Sequence, residues 1–148
     1  MKAALIYQFE TGVNNLIKEI NLYPDEESVW VLSGTIANSP GTLCLHLAGN
    51  LQHFIGATLG NTGYVRQRDK EFSDRNVPRA ILISNLENAL SVVKSTLESI
   101  EEGVFFQEYP IEVLGKKVRT DFWMLNLVGH LNYHLGQVNY HRRLLAYT

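Results

Sequence analysis

The chain's five histidines fall in two rows. The stretch "GHLNYHLGQVNYH", residues 129–141, sets His130, His134, Gln137 and His141 at spacings of four, three and four. At about 100° per residue these positions share an arc of about 60° on an α-helix. The apolar residues of the same segment, Met124, Val128, Leu131, Leu135, Val138 and Leu145, centre about 100° away from His130. The polar row therefore runs along the shoulder of a buried face. Earlier in the chain, His46, Asn50 and His53 form a second row beside Leu43, Leu47, Leu51 and Phe54. If these borders face each other, imidazoles from two helices converge. A His pair at i, i+4 with a third histidine from a neighbouring helix supplies three nitrogen donors and leaves a position for water or substrate. Zinc and nickel are the first choices, and iron, manganese and copper stay open, since ligand type alone does not choose among them. The same residues also fit ordinary amphipathic helices with satisfied nitrogens. Spacing alone leaves both readings open.

Four segments carry the helical period that would position these rows. Leu5, Ile6, Phe9, Val13, Leu16, Ile17 and Ile20 recur at steps of three and four across residues 3–21, before the turn signal "YPDEES". The second helix opens at "NSPGT", where Ser39 suits the N-cap and Pro40 the first helical position, and ends near residue 59 at "LGNTG". The third runs from Pro78 to Ile100 with a stripe of Leu82, Leu86, Leu90, Val93, Leu97 and Ile100. The fourth begins after Thr120, read as its N-cap, and continues to about Ala146. Between the last two, "GVFFQEYPIEVLGKKVRTD" has the bulky residues of a short hairpin or an extended flap. Four amphipathic helices make an all-α four-helix bundle the economical architecture. The long connections allow topologies other than simple up-down-up-down.

With 148 residues, the chain reads as one domain, 1–148, burying roughly two thirds of its unfolded surface. The formal charge of −2 and the dispersal of 13 basic residues give no electrostatic footprint for nucleic acid. No apolar run approaches the ~20 residues that span a bilayer, so no membrane is expected. The start, "MKAALIYQFETG", lacks the long apolar core of a signal peptide. The single cysteine, Cys44, rules out an intrachain disulfide and suits a reducing cytoplasm. It lies about 160° from His46 around the second helix, which assigns it to packing.

Three motifs stand in order along the chain. "NSPGTLCLHLAGNLQHF" resembles the helix-two motif of the DinB/YfiT-like superfamily of bacterial metal-binding four-helix bundles, in a branch with His-x-x-Gly-Asn. "RQRDKEF", residues 66–72, resembles that branch's Arg-x-Arg-Asp-x-Glu-Phe loop, and "HLNYHLGQV" its helix-four motif His-x-x-x-His-x-Gly-Gln. The resemblance covers nearly the whole chain. It implies an up-down-down-up bundle, frequently a homodimer, with His46, His130 and His134 as ligands of a divalent metal. His53 and His141 fall outside the motif positions and read as a partly exposed helix-end residue and a surface or rim residue. Many members carry a further histidine just before the last ligand, where this chain has Tyr133.

The supporting residues keep two readings each. Gln137 and Asn50, each one turn from a histidine, suit either a hydrogen bond to a ligand imidazole or a bridge between helices. Gly136, mid-helix, suggests a close helix approach. Arg66, Arg68 and Asp69 form either an Arg–Asp network that pins their loop or an anion-binding rim. Several superfamily members are thiol-dependent S-transferases, so the resemblance implies a low-molecular-weight thiol and a small-molecule substrate. A metal-dependent hydrolase and a non-catalytic metal- or ligand-binding stress-response protein are the alternatives. No Ser-His-Asp series, Cys-His pair or His-Glu-x-x-His glutamate supplies a general base. Because ligating imidazoles must be neutral, metal occupancy is expected to weaken as pH falls through about 6. Metal content after equilibration across pH 4–8 checks this, and occupancy unchanged at about pH 4 would count against an all-histidine site.

Overall fold

The computed structural model describes residues 1–145 and is all-helical, with no strand among them. Helix α1 (Lys2–Asn21) buries Leu5, Phe9, Val13, Leu16 and Ile20, the stripe that its periodicity marks. Helix α2 (Pro40–Leu51) starts as the sequence indicates: Ser39 Oγ accepts the Thr42 amide at 3.2 Å, and Pro40 stands where a helix needs no amide. A π-helical segment, Gln52–Ala57, follows directly, and a last turn, Thr58–Gly60, is ended by Asn61 in the left-handed conformation. The π segment widens the helix just past the His46–Asn50 row, which periodicity alone did not foretell.

A short helix, α3 (Arg68–Ser73), forms inside the connection after α2, where no periodicity marks one. Helix α4 (Arg79–Ser99) and helix α5 (Thr120–Leu145) complete the set. Thr120 is the first residue of α5 rather than its cap, and its hydroxyl donates to the Gln107 carbonyl at 3.1 Å. Ala146, where the sequence reading ended this helix, lies outside the described residues. Between α4 and α5 the chain makes a 3-10 turn, Glu102–Phe106. A flap follows, closed by two isolated antiparallel bridges, Glu108 with Arg119 and Val113 with Lys116. Phe105 and Tyr109 anchor it in the core, and the Tyr109 hydroxyl donates to the Phe54 carbonyl in the π segment.

Helix α1 packs on α4 and α5, and α2 packs on α4, α5 and α3. One core runs between them, including Cys44, Leu47, Leu51, Leu86, Val93, Met124, Leu127 and Leu131. No described helix is long and apolar enough to cross a membrane. Gly136 does not provide the close helix approach expected of it. It faces open space, whereas Gly12 lets α1 meet α5, since a Cβ there would lie 2.7 Å from Leu131 Cδ2. Gly12→Val therefore overpacks the α1–α5 contact, with an expected cost of about 1–3 kcal/mol. Thermal unfolding followed by circular dichroism should show Tm lowered by several degrees; an unchanged Tm would mean that Leu131 moves aside freely.

Candidate metal centre

Helix α2 brings His46 against His130 and His134 of α5. His46 Nε2 lies 3.1 Å from His130 Nε2, and His134 Nε2 lies 3.0 Å from the same atom. All three donor atoms lie within 4.8 Å of one another, so the cluster can hold a metal ion. Nitrogens bound to one ion at 2.0–2.1 Å sit about 3 Å apart, which matches these contacts.

The outer ring nitrogens decide which atoms carry protons. His46 Nδ1–H donates to Glu71 Oε2 at 3.0 Å, and His134 Nδ1–H donates to Gln137 Oε1 at 2.7 Å. Both Nε2 atoms are then bare lone pairs aimed at His130 Nε2. One imidazole proton can satisfy only one of them, whereas a cation satisfies all three nitrogens together. The donor set fits a divalent transition metal.

Burial, with His134, His46 and Arg66 nearby, pushes the His130 pKa down to about 4. Burial and His46 also lower His134, outweighing the Gln137 contact. Both side chains are therefore kept in the neutral, ligating form. His130 itself competes with protons only well below the pH 6 expected of an ordinary imidazole.

Glu71 was absent from the residues singled out in the sequence. Its carboxylate is buried, 6% exposed, and takes a two-pronged contact from Arg66: Nε to Oε1 at 2.7 Å and Nη2 to Oε2 at 2.8 Å. Arg66 Nη2 is also 3.3 Å from His46 Nδ1, but directs its hydrogen to the closer carboxylate. Burial alone would raise the Glu71 pKa; the Arg66 and His46 contacts hold it below the usual carboxylate range. Gly49 makes the seat, since a Cβ there would lie 2.1 Å from Glu71 Oε1. That glycine in a buried helix face was the available signal.

The other expectations sort accordingly. The Arg–Asp network is replaced by Arg66–Glu71, while Arg68 is exposed over the Phe72 ring and Asp69 is exposed outside the cluster. Phe72 itself packs on the His46 ring at 5.0 Å. Asn50 is buried, and its Oδ1 has no hydrogen-bond partner. His53 is half-buried beside Phe54, away from the cluster's hydrogen bonds. His141 is not the surface residue expected. It is 5% exposed and bridges Tyr23 Oη (Nδ1, 2.9 Å) and the Val31 carbonyl (Nε2, 2.9 Å). The segment after α1 folds over the end of α5 and covers it.

That segment also walls a cavity of about 460 Å³. Its lining includes Ile36, Leu43, Tyr133, Tyr140 and Leu144, with His134 and Gln137 shared with the cluster. Tyr133, in the position where the resemblance leads one to look for another histidine, stacks edge-on against His134 at 5.2 Å.

A protein-family model described as "Protein of unknown function (DUF1572)" matches residues 2–147. The chain belongs to the DUF1572 family. No curated protein matches it.

In this DUF1572 chain the lowered His130 and His134 values carry a stability consequence. Above about pH 6.5 folded and unfolded chains both hold these imidazoles neutral. Between about 6.5 and the folded-state values the unfolded chain binds more protons, so stability is lost as pH is lowered across that window. Urea unfolding of metal-free protein at pH 7 and pH 5 should show the loss, and His130→Gln should reduce it. An equal pH dependence in that variant would exclude His130 as its source.

Proposed function

We propose that the chain is a DinB/YfiT-like four-helix bundle, up-down-down-up, that binds a divalent transition metal through His46, His130 and His134 and acts as a thiol-dependent S-transferase. The packing of α1 and α2 each on α4 and α5 supports the bundle. The observation that carries the metal reading is the meeting of three Nε2 atoms at 3.0 and 3.1 Å, two of them stripped of protons by Glu71 and Gln137.

Bound there, a divalent cation lowers the pKa of a coordinated thiol or water. A thiol, with an ordinary pKa of about 8.5, needs only a modest shift near neutrality. Water, at about 15.7, needs a far larger one and gains from a proton acceptor. Among the described residues no carboxylate lines the cavity, and Glu71 is engaged by Arg66 and His46. This ordering favours the transferase over the hydrolase. In the reaction an S–C bond forms, the bond to the leaving group breaks with its electron pair, and the thiol proton passes to solvent. The cavity beside His134 is large enough for a small organic substrate. Among the described residues its lining has no Lys, Arg, Asp or Glu, which suits an uncharged, part-apolar electrophile. The exposed row Phe122, Leu125, Tyr133, Tyr140 and Leu144 on α5 supports a homodimer.

Untagged protein should purify with stoichiometric metal, lost in the His130→Ala/His134→Ala double variant. Metal-loaded protein incubated with several biological thiols and neutral electrophiles should form thioether products that the variant does not. Metal content unchanged in the variant would sink the ligand set. Full metal with silence across the panel would point to the non-catalytic binder.

A further inference from the structure

Each ligating imidazole needs its outer nitrogen fixed so that Nε2 presents a lone pair. Glu71 does this for His46 and Gln137 for His134. His130 Nδ1 is buried with no hydrogen-bond partner, although its Nε2 is the atom on which the other two converge.

Among the described residues four buried side-chain polar atoms lack a hydrogen bond: Asn50 Oδ1, Arg79 Nε, Trp123 Nε1 and His130 Nδ1. Arg79 Nε has the Glu26 carboxylate at 3.4 Å, and Trp123 Nε1 lies by the Tyr109 hydroxyl. Asn50 Oδ1 and His130 Nδ1 remain, one an acceptor and the other able to donate.

The two lie at adjoining levels of one interface. His46 meets His130, and Phe54 stacks edge-on against Trp123 at 5.1 Å, so α2 and this part of α5 run antiparallel. Asn50 stands midway in sequence between His46 and Phe54, as Asn126 and Leu127 stand midway between His130 and Trp123. Side chains of a helix tilt toward its N-terminus, which carries the His130 ring toward that level. Asn50 is 6% exposed, so bulk water does not readily satisfy its carbonyl, and a buried acceptor without a partner is destabilising.

We propose that Asn50 is the positioning residue of His130: one bridging water accepts the Nδ1–H of His130 and donates to Asn50 Oδ1, which fixes the tautomer that leaves Nε2 free for the metal. The inference rests on the three-histidine reading for its purpose, but the tautomer itself is a property of the metal-free protein. The motif His-x-x-Gly-Asn then serves one centre throughout: His46 donates to the metal, Gly49 seats the carboxylate behind His46, and Asn50 orients the histidine opposite.

The test uses the full chain and the variants Asn50→Leu and Asn50→Asp, with Asn132→Leu as an exposed control. Long-range proton–nitrogen spectra of the metal-free protein read each histidine's tautomer, and competition with a zinc chelator reads affinity. In the wild type, His130 should carry its proton on Nδ1. Asn50→Leu should populate the Nε2–H form of His130, leave the tautomers of His46 and His134 unchanged, and weaken zinc binding roughly 10- to 100-fold. Asn50→Asp, which keeps an acceptor, should restore both. A wild-type His130 protonated on Nε2 would overturn the proposal. So would an Asn50→Leu variant with the His130 tautomer intact and zinc affinity within about twofold of wild type. If wild-type protein binds no zinc while the tautomer responds as expected, the metal reading fails and the role of Asn50 stands.

Discussion

A buried carboxylate in a helical protein must be paired, and the seating of Glu71 is the constraint around which the centre is arranged. Its two oxygens face a guanidinium and an imidazole N–H, and its position requires a missing side chain at Gly49. The pairing holds α3 against α2, orients His46, and draws Arg66 in from the surface. Without the glycine the carboxylate has no room; without the arginine it is an uncompensated charge in the interior. The small helix α3, too short to be stable alone, is kept in place largely by this contact and by Phe72 on the His46 ring.

The cluster is organised from its periphery inward. Acceptors behind His46 and His134 set which of their nitrogens is bare, and burial keeps the His130 and His134 rings uncharged. The result is two lone pairs, on His46 and His134, aimed at the Nε2 of His130, and a positive charge among them would satisfy all three nitrogens together. The cavity next to it is shaped by a different device, the bridge of His141 between Tyr23 and the Val31 carbonyl. That bridge fixes the connection after α1 as a wall, so the space beside His134 is formed in advance of any ligand.

Much of this was legible in the sequence, and the failures have physical reasons. A period of 3.6 residues finds a helix and the side of it that is buried. His46, His130 and His134 therefore stood on the borders of buried faces, and Cys44 in the core; the resemblance of the motifs picked out the three histidines, and the structure brings them together. Angle around one helix does not say what covers that face. His141 shares the arc of His130 and His134, yet at the end of α5 the neighbouring connection closes over it. Glu71 stands in the motif "RQRDKEF" five residues from Arg66, but its second partner, His46, lies 25 residues away on another element, and no local period links those two. Gly136 was misread because a glycine's cost is visible in sequence while its benefit depends on the facing surface. The π segment has no composition that marks it.

His46 and His130 are separated by 84 residues of chain, and the third donor lies four residues farther on. Two of the three donors sit on α5 already at the right spacing, and the third reaches them only where α2 packs on α5. An ion held by all three would add its binding energy to that long-range contact, a clasp between distant parts of the chain rather than a support for any one helix.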